Sequence, residues 1–123
     1  MAKKEFSYRG KSVDELKGLT LTEFAQLVPS RQRRSLMRGQ TDAEKKLLEK
    51  VEKGKKLKTH CRTMIITPQM IGKTVETHRG NSFEPLIITE EMIGHRVGEF
   101  SLTRKKAKHT STGVGKKKVN IRK

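Results

Sequence analysis

The side chains of this sequence that could bind a metal or take part in catalysis are few. They are four histidines, one cysteine and one pair of adjacent glutamates, namely His60, His78, His95, His109, Cys61, Glu90 and Glu91. No two histidines lie at the spacing of metal ligands, whereas a zinc site needs about four ligands. Cys61 and His60 are neighbours on a predicted strand, so their side chains point to opposite faces and the thiolate lacks a general base. We therefore expect no metal, no cofactor and no internal disulfide.

Two other patterns have structural explanations. Glu90 and Glu91 follow Thr89 in a predicted first helical turn, where negative charge is favourable. Gly113-Val114-Gly115 does not follow a strand and lacks the rest of a phosphate-loop motif. Its glycines suit a flexible backbone that approaches a nucleic acid closely. None of these patterns favours an enzyme.

Basic residues dominate the composition. The chain has 29 Lys and Arg against 13 Asp and Glu, a formal net charge of +16. Residues 31–58 hold 11 basic and 4 acidic residues, residues 104–123 hold 9 basic residues and no acidic one, and the rest of the chain is neutral. Such an excess repels itself and indicates a polyanionic partner, of which nucleic acid is the commonest.

The candidate RNA-binding residues follow from this charge. Aromatic residues make up only 4% of the chain, so we expect recognition through phosphate, sugar and shape rather than base stacking. Three histidines should donate hydrogen bonds to phosphate or sugar beside the lysines and arginines. The full candidate set is Arg31, Arg33, Arg34, Arg38, Lys55, Lys56, Lys58, His60, Arg62, Lys73, His95, Arg96, Arg104, Lys105, Lys106, Lys108, His109, Lys116, Lys117 and Lys118.

Capping patterns predict short helices in the first half of the chain. Ser12 to Glu15 and Thr41 to Glu44 are capping boxes, and Thr22 is the predicted cap of a helix that Pro29 closes. The predicted helices are 13–18, 23–27, 30–38 and one that begins after Thr41 and ends by Gly54. Its apolar residues share one face at helical spacing.

Alternating patterns predict three strands, at 59–66, 75–78 and 82–88. A turn at 79–81 joins the last two, and Pro85 suggests an edge position or a bulge. The segments 67–75 and 89–97 resemble each other, each with a capping Thr, one helical turn, an apolar pair and a Gly. The expected fold is α+β, with a small antiparallel three-stranded sheet flanked by short helical turns.

The charge distribution also suggests an organisation. We expect a helical, basic N-terminal extension at 1–58, an α/β body at 59–103 and a basic tail at 104–123 that is disordered when free. The N-terminus has no apolar run like that of a signal peptide, and no stretch approaches the roughly 18 apolar residues of a membrane span. An intracellular protein is therefore expected.

Three rival interpretations of the charge stay open at this point. The basic runs could be solvated surface. The helices at 30–38 and 41–53 could form a DNA-binding helix-turn-helix, although the charge also extends over the tail. A polybasic membrane contact needs an amphipathic or lipid anchor as well.

A longer motif points to one family. Residues 93–104, Ile-Gly-His-Arg-Val-Gly-Glu-Phe-Ser-Leu-Thr-Arg, closely resemble the Gly-His-x-x-Gly-Glu-Phe-x-x-Thr-Arg signature of the ribosomal protein S19 family. Thr59-His60-Cys61-Arg62 and Pro68 to Thr74 are similar to the archaeal version, and 29–34 with the long basic N-terminal part to the archaeal and eukaryotic branch. The resemblance covers about 29–109.

The resemblance implies an RNA-binding structural protein in the head of the small ribosomal subunit. It implies contact with small-subunit ribosomal RNA and with small-subunit ribosomal protein thirteen, and a C-terminal tail directed toward the tRNA decoding region of cytoplasmic ribosomes. Within the signature, Gly94 and Gly98 should allow tight turns and close RNA approach. Glu99 should cap backbone donors or hold Arg104, and Phe100 should anchor the root of the tail.

Overall fold

The computed structural model describes residues 4–107, and this part of the chain has an α+β fold, as expected. It contains two small sheets, four α-helices and three 3-10 turns. In chain order they are β1 (Ser7–Tyr8), β2 (Lys11–Ser12), α1 (Val13–Lys17), α2 (Leu21–Leu27), α3 (Ser30–Met37), α4 (Asp42–Glu52), β3 (Leu57–Thr59), the turn Pro68–Met70, β4 (Thr74–His78), β5 (Phe83–Ile87), and the turns Glu90–Met92 and Val97–Phe100. Within 4–107, no helix is long and apolar enough to cross a membrane.

Capping boxes start three of the helices. Those of α1 and α4 are the predicted ones, at Ser12 and Thr41. The box of α2 begins at Thr20, so the prediction of Thr22 as the cap is wrong. Thr20 lies three residues before Glu23, and the Thr20 amide donates to the Glu23 carboxylate over 2.9 Å. This backbone hydrogen bond, together with one from the Thr20 hydroxyl, lowers the pKa of Glu23.

The main sheet has the order β3-β4-β5. Strands β4 and β5 form the predicted hairpin, with His78 opposite Phe83 and Pro85 on an edge strand. Strand β3 pairs with β4 in parallel, so the expectation of a wholly antiparallel sheet is wrong for this pair. The reason is that β3 ends at Thr59, well short of the predicted Ile66. The following residues leave the sheet and return to β4 as a crossover, which parallel pairing requires.

Two apolar clusters form the core. Cluster 1 combines α4 with the main sheet and the crossover, through Leu47, Val51, Leu57, Met64, Ile66, Met70, Val75, Ile88 and Val97. Cluster 2 packs α1 and α2 against the crossover and the second 3-10 turn, through Leu16, Phe24, Val28, Ile65 and Ile93. Each cluster includes residues from both sides of residue 58. The division of the chain at 58 and 103 stays a prediction.

The two similar segments form two similar turns, as the sequence predicts. Each contains a 3-10 turn that ends before a glycine in the left-handed region, Gly72 with φ +77° and Gly94 with φ +80°. Thr67 and Thr89 occupy the N-cap positions, but neither side chain makes the expected capping hydrogen bond. The Gly94 amide donates to the Ile66 carbonyl over 3.1 Å, which joins the second turn to the middle of the crossover.

The N-terminal hairpin of β1 and β2 has no counterpart among the sequence-based predictions. Its Tyr8, together with Phe6, packs against cluster 2. The Tyr8 hydroxyl reaches the Gly94 turn, where a Cβ atom added to Gly94 would lie 2.8 Å from the hydroxyl oxygen. The close approach that Gly94 permits is therefore made by the protein's own N-terminal segment.

Replacing Gly94 by Ala should destabilise the fold more than the same change at Gly72. Both positions have positive φ, which costs an L-residue about 1–2 kcal/mol. Only Gly94 also lacks room, since nothing lies within 4 Å of a Cβ at Gly72. Urea unfolding should show a loss of about 1–2 kcal/mol for Gly72→Ala and about 3 kcal/mol for Gly94→Ala.

Tyr8→Phe provides the control, because it removes the oxygen that the new methyl group would meet. In the Tyr8→Phe background, the loss of unfolding free energy caused by Gly94→Ala should therefore approach the loss caused by Gly72→Ala. If Gly94→Ala and Gly72→Ala lower the unfolding free energy of the otherwise unmodified protein equally, the packing explanation is contradicted.

Candidate nucleic-acid interface

Helix α3 presents a basic surface. Arg31, Arg34 and Arg38 are exposed, and their guanidinium groups make no hydrogen bond or ion pair to any residue within 4–107. With Ser30, Arg33 and Met37, two of them line a shallow groove of about 500 Å³. No acidic residue lies in the first turn of α3, so Arg31 stands near the positive end of the helix dipole without compensation. A phosphate group is a fitting partner for such a surface.

Arg33 lies on the same helix and is also exposed, but its guanidinium group is bound to the main chain of α2. Its guanidinium donates to the main-chain carbonyls of Ala25, Gln26 and Val28 over 3.1, 3.2 and 3.4 Å. These carbonyls belong to the last turn of α2, which no glycine terminates. Arg33 therefore caps α2 and fixes the angle between the two helices, a role that its basic character did not reveal.

Arg62 has a more extensive internal role. Its guanidinium donates to the carbonyls of His78, Gly98 and Ser101 over 2.8, 2.8 and 2.6 Å. A Cβ atom at Gly98 would lie 2.9 Å from the Arg62 side chain, so the absence of a side chain there makes room for Arg62. The end of β4 and the third 3-10 turn are thus joined through one side chain.

Two more candidate cations have internal partners. Arg96 donates to the Thr63 carbonyl over 3.0 Å and to the Ser35 hydroxyl over 3.1 Å. The Lys73 ammonium group donates to the Val51 carbonyl at the end of α4. Both side chains are half-buried. Lys73 connects the end of the crossover to α4, and Arg96 connects the start of the third 3-10 turn to α3. RNA binding by Arg33, Arg62, Lys73 and Arg96 stays a prediction.

Within the signature, Glu99 acts as a cap. One carboxylate oxygen accepts from the Arg96 amide over 3.4 Å, and the other lies 2.9 Å from Nδ1 of exposed His95. Of the two roles expected for Glu99, the structure shows the capping one; within 4–107 it makes no bond to Arg104. Phe100 packs against cluster 1 and meets the His95 ring edge-on at 5.7 Å, whereas its role as the anchor of the tail stays a prediction.

The remaining candidates are dispersed. Exposed Lys56 lies 3.1 Å from Glu76, and Lys55 is exposed beside it. Arg104, Lys105 and Lys106 are exposed where the described chain ends. Lys108, His109, Lys116, Lys117 and Lys118 lie outside the described residues. Within 4–107, no group of His, Cys, Asp or Glu side chains could hold a metal ion.

Sequence reasoning missed one cluster of aromatic rings. His60, His78 and Phe83 lie together, with ring centroids 4.3 to 5.1 Å apart. The Lys58 ammonium group lies 4.2 Å from the centre of the Phe83 ring, a cation–π distance. The hairpin register places His78 opposite Phe83, and an accurate turn prediction could have found that pair. His60 joins them only through the parallel pairing of β3 and β4, which has no local signal.

Comparisons with known proteins agree with the motif. The family model described as ribosomal protein S19 matches residues 34–109. The small ribosomal subunit protein uS19 of Saccharolobus solfataricus is 48% identical over 118 residues, which cover 90% of this chain and 84% of that protein. The matched region includes α4, the main sheet, both similar turns and the signature.

Arg62→Lys should destabilise the protein although it keeps the charge. A lysine ammonium group is a single point donor and cannot serve three carbonyls spread around a planar guanidinium. Buried carbonyls left without donors cost about 1–3 kcal/mol in total stability. Urea unfolding should show a loss of about 2 kcal/mol for Arg62→Lys.

The matched control is Arg34→Lys on the exposed face of α3, which should change the stability by less than about 0.5 kcal/mol. Equal stabilities of the two variants would show that the three hydrogen bonds of Arg62 do not stabilise the fold.

Proposed function

The chain belongs to the ribosomal protein S19 family, and we propose that its exposed cations bind small-subunit ribosomal RNA through contacts with phosphate and shape. Membership supports a structural role in the small ribosomal subunit and confirms that the protein is not an enzyme. It also confirms the archaeal or eukaryotic type and the expected place in cytoplasmic ribosomes. A DNA-binding or membrane-binding role has no comparable support.

The observation that carries the RNA proposal is the division of arginines on α3. Arg33 is held by three carbonyls, whereas Arg31, Arg34 and Arg38 extend into solvent. These three like charges, two on a helix of eight residues and one at its C-cap, repel one another, and the helix contains no acidic residue to offset them. Phosphate contacts would relieve this repulsion and release counterions. A polyanion would therefore supply the compensating negative charge that the residues of α3 do not supply.

We propose a wider contact surface around α3. It includes Lys55, Lys56 and Lys58 at the end of the N-terminal extension, His60 and His95 on the body, and the basic residues from Arg104 onward. In this arrangement residues 59–103 form the docked body, while 1–58 and 104–123 supply most of the positive charge. Arg33, Arg62, Lys73 and Arg96 would contact RNA only through the N–H groups that their carbonyl partners leave available.

The position of the protein within the small ribosomal subunit is also a proposal. We propose that the protein lies in the head of the small subunit beside small-subunit ribosomal protein thirteen, and that its C-terminal tail approaches tRNA in the decoding region. The support is the resemblance in 93–104 together with the excess charge of 104–123, which holds 9 basic residues and no acidic one.

Replacing the three exposed arginines of α3 by alanine should weaken the salt dependence of RNA binding. Each lost phosphate contact reduces the slope of log affinity against log salt by about 0.7–0.9, so the slope of the triple variant should fall by about 2.1–2.7. The measurement is affinity for a small-subunit ribosomal RNA fragment at several salt concentrations.

The control carries the same loss of charge in the neutral part of the chain, as Lys4, Lys11 and Lys17 to Ala. Its slope should stay close to that of the unmodified protein. Equal reductions in both triple variants would mean that only net charge matters and that α3 is not a contact surface.

Removing residues 104–123 tests the tail separately. The net charge falls from +16 to +7, because nine basic residues and no acidic one are lost. A clearly shallower salt slope is expected for residues 1–103, in proportion to the phosphate contacts that the tail makes. An unchanged slope would contradict a role of the tail in RNA binding.

A further inference from the structure

We propose that the solvent-facing side of the β3-β4-β5 sheet binds one unpaired RNA nucleotide, whose base stacks on His60 and whose phosphate lies in an adjoining groove of lysines. The inference rests on the RNA-binding function proposed above. It adds a defined subsite, and a mode of recognition that the scarcity of aromatic residues had argued against.

The sheet has one buried and one open face. Leu57, Val75 and Thr77 are buried on the side of cluster 1. The alternate residues of the three strands point the other way and are exposed or half-buried, and Ile87 keeps 64% of its surface exposed. Within 4–107, no element covers the open face. Its residues are Lys58, Thr74, Glu76, His78, Phe83, Pro85 and Ile87.

One end of this face is a preassembled aromatic surface. The His60 and His78 ring centroids lie 4.3 Å apart with the ring planes tilted by 36°, within stacking distance. Phe83 meets both rings edge-on, at 5.1 and 5.0 Å, and supports them from the neighbouring strand. His60 is exposed while His78 and Phe83 are half-buried. A base placed on His60 would extend an existing two-ring stack.

Lysine side chains lie beside the His60–His78 ring pair, at the place where the phosphate of a stacked nucleotide would lie. A groove of about 250 Å³ runs between α4 and the end of β3, lined by His60, Cys61 and three lysines, Lys46, Lys50 and Lys58. None of its lining residues is acidic. Lys58 also lies over the Phe83 ring, so one side chain connects the groove with the aromatic rings. Ring surface and positive charge thus occur together, as in sites that bind single-stranded nucleic acid.

The charges of this face favour a nucleotide over a protein segment. Its carboxylate, on Glu76, is paired with Lys56 at 3.1 Å, so the stack and the groove together carry net positive charge. The nucleotide must be unpaired, because bases within a duplex are already stacked on their neighbours and do not offer a free ring face.

The test uses the full chain and two synthetic probes. One is an oligomer of about ten abasic ribose-phosphate units with a single central 2-aminopurine nucleotide, and the other is the same oligomer without any base. His60→Ala should bind the base-containing probe about tenfold more weakly, the size of one lost stacking contact. It should bind the base-free probe as the unmodified protein does. His60→Tyr should retain the affinity for both probes, because it retains a ring.

Two controls separate stacking from charge and folding. Arg31→Ala should lower the affinity for both probes equally, because it removes a phosphate contact on a different surface. Thermal unfolding of His60→Ala should match that of the unmodified protein, and quenching of 2-aminopurine fluorescence should be lost in this variant alone.

The outcomes distinguish the two proposals. If both probes bind with strong salt dependence but His60→Ala binds them as the unmodified protein does, the subsite is refuted while RNA binding stands. If the unmodified protein binds neither probe nor ribosomal RNA at low salt, both proposals fail.

Discussion

The guanidinium of Arg62 is the interaction on which the arrangement of the second half of the chain depends. It donates to carbonyls at the end of β4, in the third 3-10 turn and at Ser101, just before the basic segment begins. These irregular segments have few partners in regular secondary structure, and a buried carbonyl without a donor is costly. Arg62 satisfies three at once, and Gly98 leaves the space that it occupies.

A similar use of cations recurs across the fold. Arg33 caps α2, Arg96 connects the signature to α3, and Lys73 reaches the end of α4. The protein has a net charge of +16, and several of its positively charged side chains thereby donate hydrogen bonds to carbonyls of its own main chain. Other cations, namely Arg31, Arg34 and Arg38 and the residues Arg104 to Lys106, extend into solvent. This division between cations that bind main-chain carbonyls and cations without such partners supports the proposal that some arginines stabilise the fold while others bind a polyanion.

The main sheet shows how packing and binding can be combined in a small domain. One face contributes Leu57 and Val75 to cluster 1, and the other keeps aromatic and basic side chains exposed. Burying both faces would require a further layer of structure, which the apolar content of 32% does not readily supply. An open face with a preassembled ring stack therefore costs the fold little and leaves a surface for recognition.

Local sequence determined the elements whose signals lie within a few residues. The capping boxes at Ser12 and Thr41, the β4-β5 hairpin and the two similar turns were all predictable, because each depends on contacts between near neighbours. The charge distribution indicated a polyanionic partner, and the motif at 93–104 identified the family. Tertiary structure decided the parallel pairing of β3, the carbonyl partners of Arg33 and Arg62, and the meeting of His60 with His78. These depend on residues far apart in the chain, and a basic side chain has the same local pattern whether it binds a carbonyl or a phosphate.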